Sequence, residues 1–103
     1  MGYGIVHHFK GGTREQFEAV SKKVDPDDGS MVPGELFEAS GASADGWVVM
    51  GIFESKEAWE KFRDGTLLPG LAEVGSSGFS GPPEEISFEV VHAQHREMQP
   101  SST

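Results

Sequence analysis

The run Gly46 to Ser55, GWVVMGIFES, admits few folds. Its residues are apolar and mostly β-branched or aromatic, it follows an Asp45-Gly46 turn, and it stops at a Ser-Lys-Glu helix start. This pattern predicts an interior strand buried on both faces. Side chains alternate across a strand, so one face carries Trp47, Val49, Gly51 and Phe53 and the other Val48, Met50, Ile52 and Glu54. Gly51 leaves a gap in a bulky row. Such a glycine marks a bulge, a close backbone approach, or room for a ligand.

The remaining segments sort around this strand. Tyr3 to Phe9, YGIVHHF, is rich in β-formers and ends at Lys10-Gly11-Gly12, which predicts a first strand. Its rows are Tyr3, Ile5, His7, Phe9 and Gly4, Val6, His8. Thr13 with Gln16 has capping-box form, and Phe17, Val20 and Val24 make an apolar stripe, predicting an amphipathic helix that ends near Asp25-Pro26. The loop from Asp25 to Gly34 is acidic, but Ser30 and Leu36 stand where a calcium loop counted from Asp25 needs glycine and glutamate. A metal is not expected there. Glu35 to Ser40 alternates as a second strand, joined by Gly41 to Gly46 to the central strand as an antiparallel hairpin.

Ser55 begins a second helix with Ala58, Trp59, Phe62, Leu67 and Leu68, which Pro69-Gly70 breaks or kinks before a short turn through Leu71, Ala72 and Val74. Gly75 to Pro83 is a Ser/Gly/Pro linker expected to be mobile. Ile86 to His92 is the last strand, with Ile86, Phe88, Val90 and His92 on one face. Residues 1–93 are expected to form one domain and residues 94–103 a polar tail, disordered or lying across a partner.

Composition narrows the function classes. The chain has 103 residues, 36% of them hydrophobic, which suits one core. A formal charge of −9, with the acids spread along the chain, disfavours nucleic acid and anionic membrane as partners. There is no cysteine, which excludes disulfides and thiolate chemistry. Without a long apolar run or a signal-like opening, a soluble cytoplasmic protein is the expectation. Dinucleotide and phosphate-loop glycine motifs, a serine elbow and a two-histidine zinc helix are all missing. His7 and His8 are adjacent on a strand, point to opposite faces, and cannot share one metal.

The element order β-α-β-β-α-β predicts a ferredoxin-like α+β fold: an antiparallel sheet of order 4-1-3-2 with both helices on one face. The first and third strands are expected to be a central parallel pair. Val48, Met50 and Ile52 then lack a cover, and a second copy packed sheet to sheet is the economical one. The opening YGIVHHFKGG, the passage GWVVMGIFES and the helix exit WEKFRDGTLLPGL make the chain, over roughly Tyr3 to His92, resemble the dimeric α/β-barrel superfamily. That superfamily includes antibiotic-biosynthesis monooxygenases, small polyketide cyclases and stress-responsive barrel proteins. The resemblance implies a pocket between sheet and helices in each subunit of a homodimer, and several members act on polycyclic aromatic substrates without metal or flavin. Others are haem-linked or have no known chemistry, so the fold does not assign the reaction.

If Trp47, Val49, Gly51 and Phe53 face the helices, pairing brings Tyr3, Ile5, His7 and Phe9 to the same side, as the Phe-Lys and Phe-Glu-Ser strand ends shared with small cyclases of this fold also suggest. His7 is then expected beside Gly51, and His92 near Tyr3 and Trp47. An inward histidine is a general base or acid, or a packed core residue. His7 is the first choice of base, with Tyr3 or His92 as oxyanion partner. Trp47, Val49, Gly51, Phe53, Trp59, Phe62 and Phe88 are the candidate substrate walls, though aromatic residues at these spacings also serve as core. Glu38, mid-strand, is a proton carrier or an exposed edge acid. His8 is expected on the dimer side, and His95 in the tail. The expected activity is cofactor-independent oxygenation or aldol-type cyclisation of an aromatic or polyketide-like small molecule, with no cofactor and no metal; a non-catalytic binding or stress-responsive barrel, or a purely structural dimer, is the alternative.

Overall fold

Thr13 starts the first helix by a reciprocal cap. Its hydroxyl accepts from the Gln16 N–H at 3.2 Å while the Gln16 side-chain oxygen accepts from the Thr13 N–H at 3.0 Å, satisfying two otherwise orphaned donors. The computed structural model describes residues 2–94 and 96. Among these, β1 spans Tyr3–Lys10, α1 Arg14–Val24, β2 Glu35–Ser43 and β3 Gly46–Phe53. Ser55 caps α2, Lys56–Phe62, by accepting from the Ala58 N–H at 3.0 Å. A π-helical turn, Arg63–Leu67, leads into α3, Leu68–Val74, and β4 is Glu84–Glu89. No helix is long and apolar enough to cross a membrane among the described residues. The polar tail lies outside the described residues except for Gln94 and Arg96.

The sheet has the order β2-β3-β1-β4, and every neighbouring pair is antiparallel. This is the ferredoxin-like α+β arrangement expected. The expected parallel pairing of the first and third strands is corrected. α1 carries the chain back so that β2 runs with β1, and the hairpin then reverses β3 against both. Tyr3 stands opposite Phe53, Ile5 opposite Gly51, His7 opposite Val49 and Phe9 opposite Trp47. Opposed residues share a face, so the row assignment stands although the register differs.

That row meets the helices. Phe17 of α1 packs on Trp47 with ring centroids 5.4 Å apart, and Trp59 of α2 meets Phe53 edge-on at 5.4 Å. Ile5, Val32, Phe53 and Trp59 are buried as one cluster, flanked by Tyr3, Ala58, Phe62 and Leu67. Burying one such side chain is worth about 1.5–3 kcal/mol, which makes this cluster the main anchor of α2. α1 and α3 approach closely at Gly70, where a Cβ would come within 2.5 Å of Val24 Cγ1.

Three boundaries differ from expectation, the first at β2, which runs on to Ser43 although the turn is expected to begin at Gly41. The second helix changes at Arg63, before Pro69: the Leu68 N–H reaches back to the Arg63 carbonyl, and the proline falls in the first turn of α3, where a missing N–H costs little. In the segment after α3, Phe79 stacks on Phe9 with ring centroids 3.7 Å apart. β4 begins at Glu84 and ends at Glu89, opposite Tyr3 at the start of β1, and beyond that pair the Val90 N–H donates to the Gly2 carbonyl.

The other sheet face carries Val6, Val48, Met50, Ile52, Ile86 and Phe88. No element of the described chain covers it. Met50 is 38% exposed, Phe88 45% and Ile86 65%.

Candidate functional site

Between the helix-facing row and the helices lies a cavity of about 340 Å³. Ile5, Phe9 and Phe53 rise from the sheet, Phe17 and Val20 come from α1, and Trp59 and Phe62 from α2, so the walls are mainly apolar. That volume is at the small end of the range for ligand sites and suits roughly a two- or three-ring molecule.

His7 lines this cavity, and β4 supplies its partner. His7 Nε2 lies 2.8 Å from Glu85 Oε2, because His7 and Glu85 are directly opposed across β1 and β4. The imidazole is mostly enclosed, its side chain 12% exposed, with Trp59 edge-on at 5.6 Å and Phe9 at 6.1 Å. An ionised Glu85 can only accept, so it fixes the proton on Nε2 and leaves Nδ1 as the basic nitrogen of the neutral ring. His8 points to the opposite face. It bonds Glu84 at 3.0 Å and Asp45 at 2.9 Å, and the Glu84 hydrogen bond raises its pKa, with Asp45 adding to the effect.

A second polar group lies toward β2. Glu35 and Glu38 both line the cavity, although three positions apart on a regular strand they would face opposite sides. A register shift between Glu35 and Phe37 turns both inward. The Glu35 carboxyl occupies the space above Gly51: a Cβ there would lie 2.8 Å from Glu35 Oε2. Burial pushes Glu35 up to about 8, helped by the nearby charges of Glu38 and Asp25. Glu38 is raised in the same sense, by desolvation first and Asp25 second, although much of the residue meets solvent. Asp25 accepts from the Ser21 hydroxyl, and Arg63, paired with Asp64 at 2.8 Å, is the cation in the lining.

The expected site residues therefore divide. His7, Val49, Gly51, Phe53, Trp59, Phe62 and Glu38 line one cavity. Tyr3 and Trp47 share the helix-facing row but pack beside the cavity, Tyr3 against the core cluster and Trp47 beneath Phe17. The Trp47 indole N–H is buried without a partner among the described residues. Phe88 is on the opposite sheet face, its ring over Gly4, because β4 pairs Phe88 with that row of β1. His92 is exposed beyond the end of β4, so it cannot join His7. His7 lies opposite Val49 and not Gly51, whose spare volume holds the Glu35 carboxyl. His95 lies outside the described residues.

Glu35, Glu85, Asp25 and Arg63 were not expected. Glu85 precedes the apolar alternation that marks β4, and the bulge that turns Glu35 inward has no glycine to announce it.

No protein-family model matches the chain, and no curated protein matches it. Solved structures do. A candidate antibiotic biosynthesis monooxygenase from Chloroflexus aurantiacus superposes with a TM-score of 0.65 at 14% identity, covering 92% of this chain and 98% of that one. SnoaB, a cofactor-independent oxygenase from Streptomyces nogalater, gives 0.60 at 14% over 89% and 94%. The monooxygenase ActVA-Orf6 of Streptomyces coelicolor, solved with nanaomycin D, gives 0.55 at 23% over 93% and 92%. The chain thus shares the ferredoxin-like fold of antibiotic biosynthesis monooxygenase-like proteins.

Proposed function

We propose that the protein is a homodimeric, cofactor-independent monooxygenase acting on a flat aromatic or polyketide-like molecule held between sheet and helices. The observation that carries this reading is the His7–Glu85 pair in the wall of an apolar cavity. A carboxylate behind an imidazole orients the ring and stabilises the imidazolium formed when it takes a proton. His7 Nδ1 removes a proton from an acidic carbon of the substrate. The carbanion passes its electrons to dioxygen, protonation gives a hydroperoxide, and loss of water leaves a carbonyl. With an internal carbonyl as electrophile, the same base starts an aldol closure. Trp59, Phe62, Phe53 and Phe9 exclude water and hold the ring plane, and the related fold of SnoaB and ActVA-Orf6 supports the class.

The test is dioxygen uptake and product analysis with a panel of anthrones and hydroxynaphthalenes. His7→Ala is expected to lower turnover by about 10²–10⁴-fold with the fold retained, and Glu85→Gln by less. His8→Ala, on the far face, keeps most of the rate. Ligand binding with neither oxygen uptake nor cyclisation would favour the alternative, a small-molecule-binding or stress-responsive barrel protein.

A further inference from the structure

We propose that Glu35 donates a hydrogen bond to a carbonyl or enolate oxygen of the bound molecule, making the cavity selective for aryl ketones over hydrocarbons of the same shape. This rests on the aromatic-ligand reading above and adds the oxygen-recognising end of the site. The geometry is specific. The Glu35 carboxyl lies over Gly51, where any other residue would displace it, and Gly51 is two places along β3 from Val49, the neighbour of His7. Strand rise puts these levels about 7 Å apart, within the span of one fused ring system. A proton acceptor and a proton donor thus face the same ligand.

The groups around Glu35 decide its protonation. Asp25 at the end of α1 and Glu38 from β2 repel its charge, while Gly51 and Phe53 beside it offer no side-chain polar group. The remaining charged groups of the lining are Glu85, paired to His7, and Arg63, paired to Asp64. With its carboxyl pushed up to about 8, Glu35 is mainly the neutral acid at pH 7, and only that form can donate. A neutral carboxylic acid in an apolar site can stabilise an enolate as it forms, which is where carbanion chemistry needs a donor.

The test compares 9-fluorenone with fluorene, the same tricycle without the oxygen, by quenching of tryptophan fluorescence and by calorimetry. At pH 6.5 the wild-type chain is expected to prefer fluorenone by about tenfold. The preference should fall about fivefold between pH 7 and 9, as the donor form drops from most of the protein to about a tenth and the ionised form binds both compounds alike. Glu35→Gln keeps an N–H donor that does not titrate, so its preference should persist across that range; Glu35→Leu should bind both compounds alike. Equal binding of the two compounds by wild type, or a preference that rises with pH, would overturn the role of Glu35 and leave the aromatic cavity standing. Failure of wild type to bind either compound would overturn both readings.

Discussion

Glu35 carries a cost that can be measured without any ligand. Its carboxyl is raised from 4.5 to about 8 in the folded chain, so between those values the native state holds a proton that the unfolded state releases. Stability contributed below the lower value is therefore lost as pH climbs to the upper one. The residue is only half-buried, and solvent screening brings the loss down from the full shift to about 1–2 kcal/mol. Glu35→Gln should be close to neutral at pH 4.5 and more stable than wild type by about that amount at pH 9, read from urea midpoints at each pH. Equal midpoints at pH 9 would mean that the carboxyl is solvated. Alternation made it legible that His7 and His8 face opposite sides; which of them meets the helices rested on the strand ends shared with small cyclases. The pattern did not reveal Glu35, whose direction depends on a bulge, or Glu85, whose value comes from standing opposite His7 on a strand read as starting later.

At the scale of elements, what was legible is what local chemistry decides. The Thr13 box and the Ser55 cap depend on neighbours a few residues away, and each is where the pattern puts it; the β2–β3 hairpin forms as expected, with a turn tighter than Gly41 to Gly46. Misread features depend on distant partners. The direction of β3 against β1 follows from counting chain reversals, and the bounds of β4 from its pairing with β1. Residues 75–83, expected to be mobile, hold a stack of Phe79 on Phe9 through which that expectation can be tested. Phe79→Ala should lower stability by about 1–3 kcal/mol, since it removes an aromatic pair and part of a wall. Amide exchange should rise over residues 75–83 and at the start of β4, with β2 and β3 unchanged. Unaltered exchange in 75–83 would show that the segment is held by its turns alone.

At the scale of the whole molecule, the uncovered sheet face demands an explanation. Val6, Val48, Met50, Ile52, Ile86 and Phe88 form an apolar surface across three strands, and contiguous patches of this kind on soluble domains mark interfaces. Sheet-to-sheet pairing of two copies would remove it from water. Opposing this is charge: each copy carries −9, so association must overcome repulsion that salt screens over about 8–10 Å. The dimer should therefore sediment as such at micromolar concentration and tighten as salt is raised. Met50→Lys separates interface from core. Met50 is 38% exposed in a single chain, so a lysine there can reach water and leave the fold intact, whereas between two sheets its ammonium is buried and unpaired. The variant should sediment as a folded monomer with wild-type circular dichroism. Wild-type protein that stays monomeric at micromolar concentration in high salt would show that a second copy does not cover this face.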